Sequence, residues 1–207
     1  MRDYSPGQAV TILRALASMR IFIAIEIPVP IKEAVTELQA KLREHRAAVS
    51  WTRPENLHLT LKFLGEIDGE RLPAIEEATI ASVEHIGPLS LRPDRVGVFP
   101  NARNPRVLWV GLGGDVDKVT SLAVRLDQKL VERGFAGEKR PFQPHLTIGR
   151  FKESGGVQEL LAEARDYRLP ETSFVANELV VMHSQLTPKG AEHTPVLRAR
   201  LTKDFGF

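Results

Sequence analysis

Two short segments of the 207-residue chain repeat one pattern, a histidine followed two positions later by a threonine. The first segment is His58-Leu59-Thr60 and the second is His145-Leu146-Thr147. Successive side chains of a β-strand point to opposite faces, so each histidine shares a face with its threonine while the leucine packs on the other side. Each segment would therefore present one imidazole and one hydroxyl to the same side of a sheet.

A pair of imidazoles suits the in-line hydrolysis of a phosphoester. An unperturbed histidine has a pKa of about 6.5, so one ring can accept the proton of an attacking water while the other, in its charged form, protonates the leaving oxygen. The hydroxyls of Thr60 and Thr147 can donate hydrogen bonds to the non-bridging oxygens, where negative charge builds up. The pattern predicts acid–base chemistry that needs neither a metal ion nor a cofactor.

The two histidines belong to a longer repeat with an offset of 87 positions. The same offset aligns 53–60 with 140–147, and arginine, proline, histidine, leucine and threonine match. It also aligns a predicted strand over 21–27 with 108–114 and a predicted helix over 31–45 with 118–132. A single His-x-Thr is a common chance pattern, whereas two copies in register are specific. A unit of this length in two copies favours two related lobes.

Hydrophobic periodicity predicts the elements that position these motifs. Around the first motif it indicates a strand over 21–27, a helix over 31–45, a strand over 57–64 ended by Gly65, and a helix over 68–86. Further along the chain we expect strands at 89–99 and 107–112, a helix at 115–133, a strand at 145–151, a short helix at 157–165, and strands at 174–182 and 194–202. The last two strands follow one another without an intervening helix, which argues against a purely parallel sheet.

The composition argues against several other classes of site. The chain has no cysteine, which excludes disulfides, thiolate nucleophiles and cysteine-ligated metals, and we expect a cytoplasmic protein. There is no His-Glu-x-x-His segment, and neither motif has a second histidine or carboxylate at close metal-ligand spacing, so a metal hydrolase ranks low. No apolar run reaches the roughly 18 residues that cross a membrane. A net charge of +2 predicts that a polyanion would be bound at a local site.

The first 18 residues do not fit the repeat. Their apolar section over 9–17 is interrupted by Arg14 and lacks the layout of a secretory signal. Met19 and the strand-like sequence after it look like a chain start. We expect 1–18 to be a dispensable or mis-assigned extension, disordered or lightly packed, and 19–207 to form a single monomeric unit.

The paired motifs resemble those of the 2H phosphoesterase superfamily, in particular its bacterial and archaeal RNA 2′,3′-cyclic phosphodiesterases, also called 2′-5′ RNA ligases. The similarity extends over nearly the whole chain from Met19, through segments at 19–25, 51–57, 63–65, 105–111 and 184–190. It implies an α+β fold of two lobes related by a pseudo-twofold, each with an antiparallel sheet and helices, around a central cleft. It also implies hydrolysis of a terminal 2′,3′-cyclic phosphate to a 2′-phosphomonoester, with RNA 3′ ends or small cyclic nucleotides as partners.

The resemblance further implies roles for the motif residues. His58 would be the proton donor to the departing 3′ oxygen, and His145 would be the base that activates water. The sequence itself supports the pair without saying which ring is which. Thr60 and Thr147 would bind the phosphate.

Three residues near the motifs have alternative placements. Arg150 matches an arginine that contacts the substrate in this family, yet strict alternation puts it opposite His145, so the role requires a bulge or the end of the strand near Gly149. Phe63 is the repeat counterpart of Arg150 and either stacks on a base or belongs to the core. Lys62 shares the face of the first histidine and lies either in the cleft or at its solvated rim.

The other four histidines, His45, His85, His183 and His193, have no matching partner in the repeat and are predicted to be structural or solvent-facing. Many relatives carry an aromatic residue, often tyrosine, after the late glycine turn. This chain has Glu-His-Thr at 192–194, so the resemblance gives no reason to expect base stacking from that segment.

Two alternatives stay open at this point. A 2′-5′ RNA ligase, or a phosphodiesterase acting on another cyclic or 2′-5′ nucleotide, would use the same two histidines. A non-catalytic module that binds RNA ends is the alternative of another class, and it would not need an acid and a base.

Overall fold

The computed structural model describes residues 18–153, 156–188 and 190–202. Residues 1–17, and with them nearly all of the predicted N-terminal extension, lie outside the described residues. The described strands are β1 (Ser18–Glu26), β2 (Val49–Trp51), β3 (His58–Asp68), β4 (Leu89–Phe99), β5 (Val107–Gly114), β6 (His145–Phe151), β7 (Phe174–Ala176), β8 (Glu178–Thr187) and β9 (Gly190–Arg200). The described α-helices are α1 (Val29–Leu42), α2 (Leu72–Val83), α3 (Val116–Val131) and α4 (Val157–Asp166).

All nine described strands belong to one sheet, in the order β7-β4-β5-β6-β3-β1-β8-β9, with β2 paired to β6. Every pairing among them is antiparallel. The first lobe comprises β1, β3, β8 and β9, and the second comprises β4 to β7. The two lobes meet where β3 pairs with β6, at Leu59 and Leu146. The predicted α+β fold with antiparallel sheets is confirmed, and the sheets of the two lobes are continuous.

One hydrophobic core lies between the sheet and the helices. Alternate residues of β1, namely Ile21, Ile23 and Ile25, are buried in it together with Leu38 of α1. The intervening residues of β1 face the other side of the sheet, where a smaller buried cluster is formed by Phe22, Ala24, Val180 and Met182. The strand alternation therefore separates a helix-covered face from a concave face, and the concave face carries the site.

Several predicted boundaries were wrong for identifiable reasons. The strand predicted over 174–182 is two strands, β7 in the second lobe and β8 in the first, because the chain passes from one lobe to the other at Asn177. The strand predicted to end at Gly65 continues to Asp68, since this glycine adopts a φ of +72° and lets the strand bend without ending. The helix predicted over 68–86 begins with a 3₁₀ turn, Gly69–Arg71, before α2. The short strand β2 was not predicted.

The internal repeat is present in the structure with one adjustment. α1 and α3 begin 87 positions apart, and so do β3 and β6. The strand partners differ, because Thr60 lies opposite Ala24 whereas Thr147 lies opposite Trp109, an offset of 85. A shift of two residues keeps every side chain on its original face of the sheet. The two motif strands therefore present equivalent faces to the same side.

Candidate active site

The first motif strand contains a β-bulge directly after its threonine. In β3, Thr60 lies opposite Ala24 and Lys62 lies opposite Ile23, so Leu61 is an extra residue without its own partner in β1. A bulge inserts one residue into the ladder and resets the alternation of side chains beyond it.

The second motif strand has a bulge at the equivalent position of the repeat. In β6, Thr147 lies opposite Trp109 and Gly149 lies opposite Leu108, which leaves Ile148 as the extra residue. Positions 61 and 148 are again 87 apart. The bulge is therefore a property of the repeated unit.

A buried amide supports the second bulge. Gln39 of α1 is 1% exposed, and its Nε2 donates hydrogen bonds to the carbonyl oxygens of Ile148 and Thr52, both at 2.8 Å. The Thr52 backbone N–H also donates to the Ile148 carbonyl oxygen, at 3.0 Å. These contacts hold the chain before the first motif against the bulge of the second.

The bulges decide the positions of the three residues with alternative placements. Phe63 is brought to the concave face, where it is 51% exposed, and the guanidinium of Arg20 lies 5.1 Å from the centroid of its ring. The interpretation of Phe63 as a core residue is therefore wrong. Arg150 is exposed on the same face as His145, by the bulge that its role required.

Strict alternation predicted that Lys62 lies in the cleft or at its rim, and this prediction is wrong. Beyond the bulge its side chain points to the helix side and is only 6% exposed. Its Nζ donates to Asp127 of α3 at 2.6 Å and to the carbonyl oxygen of Ala136 at 2.8 Å. The lysine therefore forms a partly buried ion pair that joins β3 of the first lobe to α3, with the Asp127 side chain 24% exposed.

The concave face holds a cavity of about 520 Å³, which we call the cleft. Both histidines, both threonines and the two residues exposed by the bulges line it: His58, Thr60, Phe63, His145, Thr147 and Arg150. Its other charged or titratable lining residues are Arg20, Arg53 and His193. No aspartate or glutamate among the described residues lines the cleft, so its charge favours an anion.

The strand register brings the two motif histidines onto neighbouring positions of one face of the sheet. Because Leu59 pairs with Leu146 in antiparallel fashion, His58 falls opposite Thr147 and Thr60 falls opposite His145. His58 and His145 are therefore diagonal neighbours on one face, and the Cα atoms of such neighbours in antiparallel sheets lie about 7–8 Å apart. Both rings and both threonine side chains line the same cleft.

Each imidazole is oriented by a carbonyl two residues before it. The Nδ1 of His145 lies 2.7 Å from the carbonyl oxygen of Gln143, and the ring of His58 forms the equivalent hydrogen bond with Asn56. A carbonyl can only accept, so the ring nitrogen at that end carries the proton. In the neutral ring the other nitrogen is then an acceptor, and it remains available for chemistry.

The surroundings lower the pKa of both rings. Burial lowers the pKa of His58 to about 4, and the neighbouring His193 adds to this shift, while the hydrogen bond to Asn56 opposes it. Burial also lowers the pKa of His145, opposed by its hydrogen bond to Gln143 and reinforced by Arg150. Both imidazoles are therefore mainly neutral at neutral pH when the cleft contains no substrate.

His193 was predicted to be structural or solvent-facing, and the structure instead places it in the cleft. Its ring meets that of His58 edge-on, with centroids 5.4 Å apart. Phe22 stacks on His58 with centroids 4.6 Å apart and also contacts His193 at 4.9 Å, so the three rings form one cluster. The available signal was its place after the late glycine turn, where relatives carry an aromatic residue. His45 and His183 lie outside the cleft.

In the described parts of the chain, no group of three or more histidine, cysteine, aspartate or glutamate side chains is arranged to hold a metal ion. No helix in these parts combines the length and apolar character needed to span a membrane.

The sequence of this chain is similar to those of one family of known proteins. The family model described as "LigT like Phosphoesterase" matches residues 25–109 and 113–192. The RNA 2′,3′-cyclic phosphodiesterase of Methanocaldococcus jannaschii is 34% identical over 173 residues, covering 83% of this chain and 95% of the relative. The protein of the same name from Archaeoglobus fulgidus is 35% identical over 183 residues, covering 83% of this chain and 94% of the relative.

Solved structures with the same fold support this relationship. The TT0787 protein of Thermus thermophilus superposes with a TM-score of 0.73 and 28% identity, over 90% of this chain and all of that one. E. coli LigT complexed with 3′-AMP superposes with a TM-score of 0.68 and 26% identity, again over 90% of this chain and 100% of that one. In both cases the likeness covers the two lobes.

Proposed function

The chain belongs to the LigT-like phosphoesterase family, and on this premise we propose that it hydrolyses the 2′,3′-cyclic phosphate at RNA 3′ ends to a 2′-phosphomonoester. The proposed reaction uses His58 and His145 and no metal ion. The substrate class follows from the relatives, several of which are named RNA 2′,3′-cyclic phosphodiesterase.

One observation carries the proposal: two imidazoles lie diagonally across one cleft, each with one nitrogen fixed by a backbone carbonyl. This arrangement gives two proton-transfer groups on opposite sides of a single site. A module that only binds RNA ends would have no use for it. The absence of carboxylates from the described lining supports an anionic substrate.

In the proposed reaction His145 accepts a proton from water, whose oxygen forms a new bond to phosphorus. The bond from phosphorus to the 3′ oxygen breaks, and that oxygen receives a proton from His58. The product carries a 2′-phosphate and a free 3′ hydroxyl. Thr60 and Thr147 donate hydrogen bonds to the non-bridging oxygens, on which charge accumulates during the transfer.

The donor role of His58 depends on the substrate itself. Its pKa of about 4 keeps the ring neutral in the unoccupied cleft at neutral pH. A phosphate anion bound beside the ring favours the protonated form and raises that pKa. Substrate binding would thereby favour uptake by His58 of a solvent proton, which the leaving oxygen then receives.

Two further residues would bind the substrate. Arg150 would pair with the phosphate, because its guanidinium presents several donors to an anion. Phe63 would stack on the base of the terminal nucleotide, since its ring is exposed in the cleft and stacking on an aromatic side chain tolerates any base.

The test is an assay on an RNA oligonucleotide that ends in a 2′,3′-cyclic phosphate, followed by location of the product phosphate. The wild-type protein should yield the 2′-phosphate in the presence of a chelator. His58→Ala and His145→Ala should each lower kcat by about 10²- to 10⁴-fold, the usual contribution of a general acid or base. His45→Ala is the matched control, because His45 lies outside the cleft.

Three results would contradict the proposal. They are a 3′-phosphate product, loss of activity with the chelator, and unchanged turnover in both cleft histidine variants. A 2′-5′ joined product formed with a second RNA bearing a 5′ hydroxyl would instead identify the reverse reaction.

A further inference from the structure

A second cavity, of about 490 Å³, lies on the other side of His145. This histidine lines both the second cavity and the cleft, so the two spaces are neighbours along the concave face. Trp109 lines the second cavity, and the centroid of its ring lies 6.4 Å from that of His145. The proposed hydrolysis does not use this second cavity.

Glycines on two strands allow the indole of Trp109 to lie flat against the sheet. A Cβ at Gly97 of β4 would come within 2.3 Å of the indole, and a Cβ at Gly111 of β5 would come within 3.2 Å of it. Phe99 extends the aromatic surface, with its ring centroid 5.1 Å from that of Trp109 and the planes inclined by 34°. The two rings form a platform, which we call the Trp109 platform.

The polar edge of the indole has no partner within the described protein. The Nε1 of Trp109 is buried and forms no hydrogen bond with any described residue. An indole N–H can only donate, and a buried donor without an acceptor is costly.

The equivalent face of the first lobe is closed. Ala24 lies opposite Thr60 as Trp109 lies opposite Thr147, so the two positions correspond in the repeat. Around Ala24, however, the concave face is filled by side chains that are at most 6% exposed, namely Phe22, Val180 and Met182. The repeat therefore carries an open aromatic cavity in one lobe only, which fits a ligand that extends from the phosphate in one direction.

We propose that the Trp109 platform binds the base of the nucleotide that precedes the cyclic-phosphate nucleotide, so that the preferred substrate is an oligonucleotide. This inference rests on the proposed function, because the cyclic phosphate must first lie between His58 and His145. The terminal base then has Phe63 on the cleft side, and the chain continues past His145 to the platform. Arg95, 76% exposed at the cavity rim, is placed to meet the connecting phosphate, with Asp94 at 3.6 Å as its present partner.

Three substrates separate base stacking from the other contacts. They are a 2′,3′-cyclic mononucleotide, a dinucleotide ending in the same cyclic nucleotide, and that dinucleotide without its first base. Stacking of one base on an aromatic side chain corresponds to a factor of about 5 to 150. In the wild type, kcat/KM for the complete dinucleotide should exceed that for the dinucleotide without its first base by this factor, and Trp109→Leu should reduce the ratio to near one.

A second measurement does not depend on the folding of that variant. Trp51 and Trp109 are the two tryptophans of the chain, so Trp51→Phe leaves Trp109 as the single tryptophan, which can be excited selectively. Its fluorescence should be quenched by a dinucleotide ending in a 2′-phosphate and much less by the same molecule without the first base.

The outcomes distinguish this inference from the proposed function. A wild type that hydrolyses both dinucleotides equally well overturns the inference and leaves the proposed function intact. The inference is also overturned if Trp109→Leu lowers hydrolysis of the mononucleotide as much as that of the dinucleotide, because the terminal base would then occupy the platform. Failure to hydrolyse any of the three substrates counts against the proposed function, whereas quenching by the dinucleotide would still support the platform as a base-binding site.

Discussion

The kcat/KM for cyclic-phosphate hydrolysis should reach its maximum at acidic pH, below the range expected of two ordinary histidines. The profile of kcat/KM reports the pKa values of the protein without substrate. Burial brings the pKa of His58 to about 4 and that of His145 below 6.5. The productive form carries one proton on the pair, so it is populated between these two values. The same bell-shaped profile of kcat/KM results whichever ring holds that proton, because the pair titrates as a unit.

The size of the effect follows from the upper of the two pKa values. A lowered histidine pKa means that the ring loses its proton at a lower pH, so the basic limb of the profile begins below pH 6.5. Above that point each pH unit lowers the protonated fraction tenfold. Between pH 6.5 and 8.5, kcat/KM should therefore fall by about 50- to 100-fold. The acidic limb should lie near pH 4, where His58 gains its proton.

A substitution at His193 tests what lowers the pKa of His58 and so sets the acidic limb of the kcat/KM profile. His193→Phe keeps a ring against His58 but removes the imidazole whose charge lowers the pKa of His58. The acidic limb should move toward higher pH, while burial keeps it below 6.5. His45→Gln, outside the cleft, should give the wild-type profile.

The assay is initial-rate hydrolysis of the cyclic oligonucleotide at low substrate concentration from pH 4 to 9, at constant ionic strength. A maximum of kcat/KM at or above pH 7 would refute the argument that burial sets these pKa values. A profile that is identical in the wild type and His193→Phe would refute the coupling between the two rings. A kcat profile shifted to higher pH than that of kcat/KM would agree with a substrate anion that raises the pKa of the acid.

Three other predictions follow from the same structure. Folded His58 stays neutral to about pH 4, whereas the ring in the unfolded chain gains a proton below pH 6.5. The wild type should therefore lose about 2 kcal/mol of unfolding free energy between pH 7 and 5. Urea titrations at both pH values should show that His58→Gln does not lose this increment. Asp127→Asn leaves the Lys62 ammonium buried without its counter-charge and should lower the unfolding free energy by about 3 kcal/mol. A decrease of less than about 0.5 kcal/mol would show that the ion pair is exposed in solution. Phe63→Ala should raise KM for the cyclic oligonucleotide by about 5- to 150-fold with a smaller effect on kcat, and an unchanged KM would remove this ring from the binding site.

Strand alternation correctly predicted one face for His58 and Thr60, and one for His145 and Thr147, because the motifs lie before the bulges. Beyond the bulges the same rule gave the wrong face. Lys62 is buried and Phe63 is exposed, the reverse of what their side chains suggest. A bulge leaves little local trace in the sequence, since it depends on the partner strand. The one available signal was that an arginine, Arg150, occupies the position of Phe63 in the other copy of the repeat.

Sequence patterns also failed to place His193 in the C-terminal segment. His193 lies on β9, which has no counterpart in the repeat, so neither the offset nor the periodicity could bring it to His58. Its position depends on the pairing of β9 with β8 and of β8 with β1. Likewise, the division of 174–182 into strands of opposite lobes is set by their partners and not by their own composition. Residues whose position depends on a distant strand were thus the ones that sequence patterns missed.

The duplicated lobes explain the placement of the two imidazoles but not a division of labour between them. A symmetric pair would have equal pKa values, and neither ring would be the preferred holder of the single proton. The surroundings break this symmetry: Phe22 and His193 enclose His58, whereas Phe99 and Arg150 flank His145 beside an open cavity. Environments that push two pKa values apart distinguish chemically identical groups. The repeat therefore sets the strand positions of the two rings, and the residues that differ between its copies set their pKa values. Because these leave the single proton on His145 in the free protein, the proposed donor role of His58 requires the substrate phosphate to reverse this order.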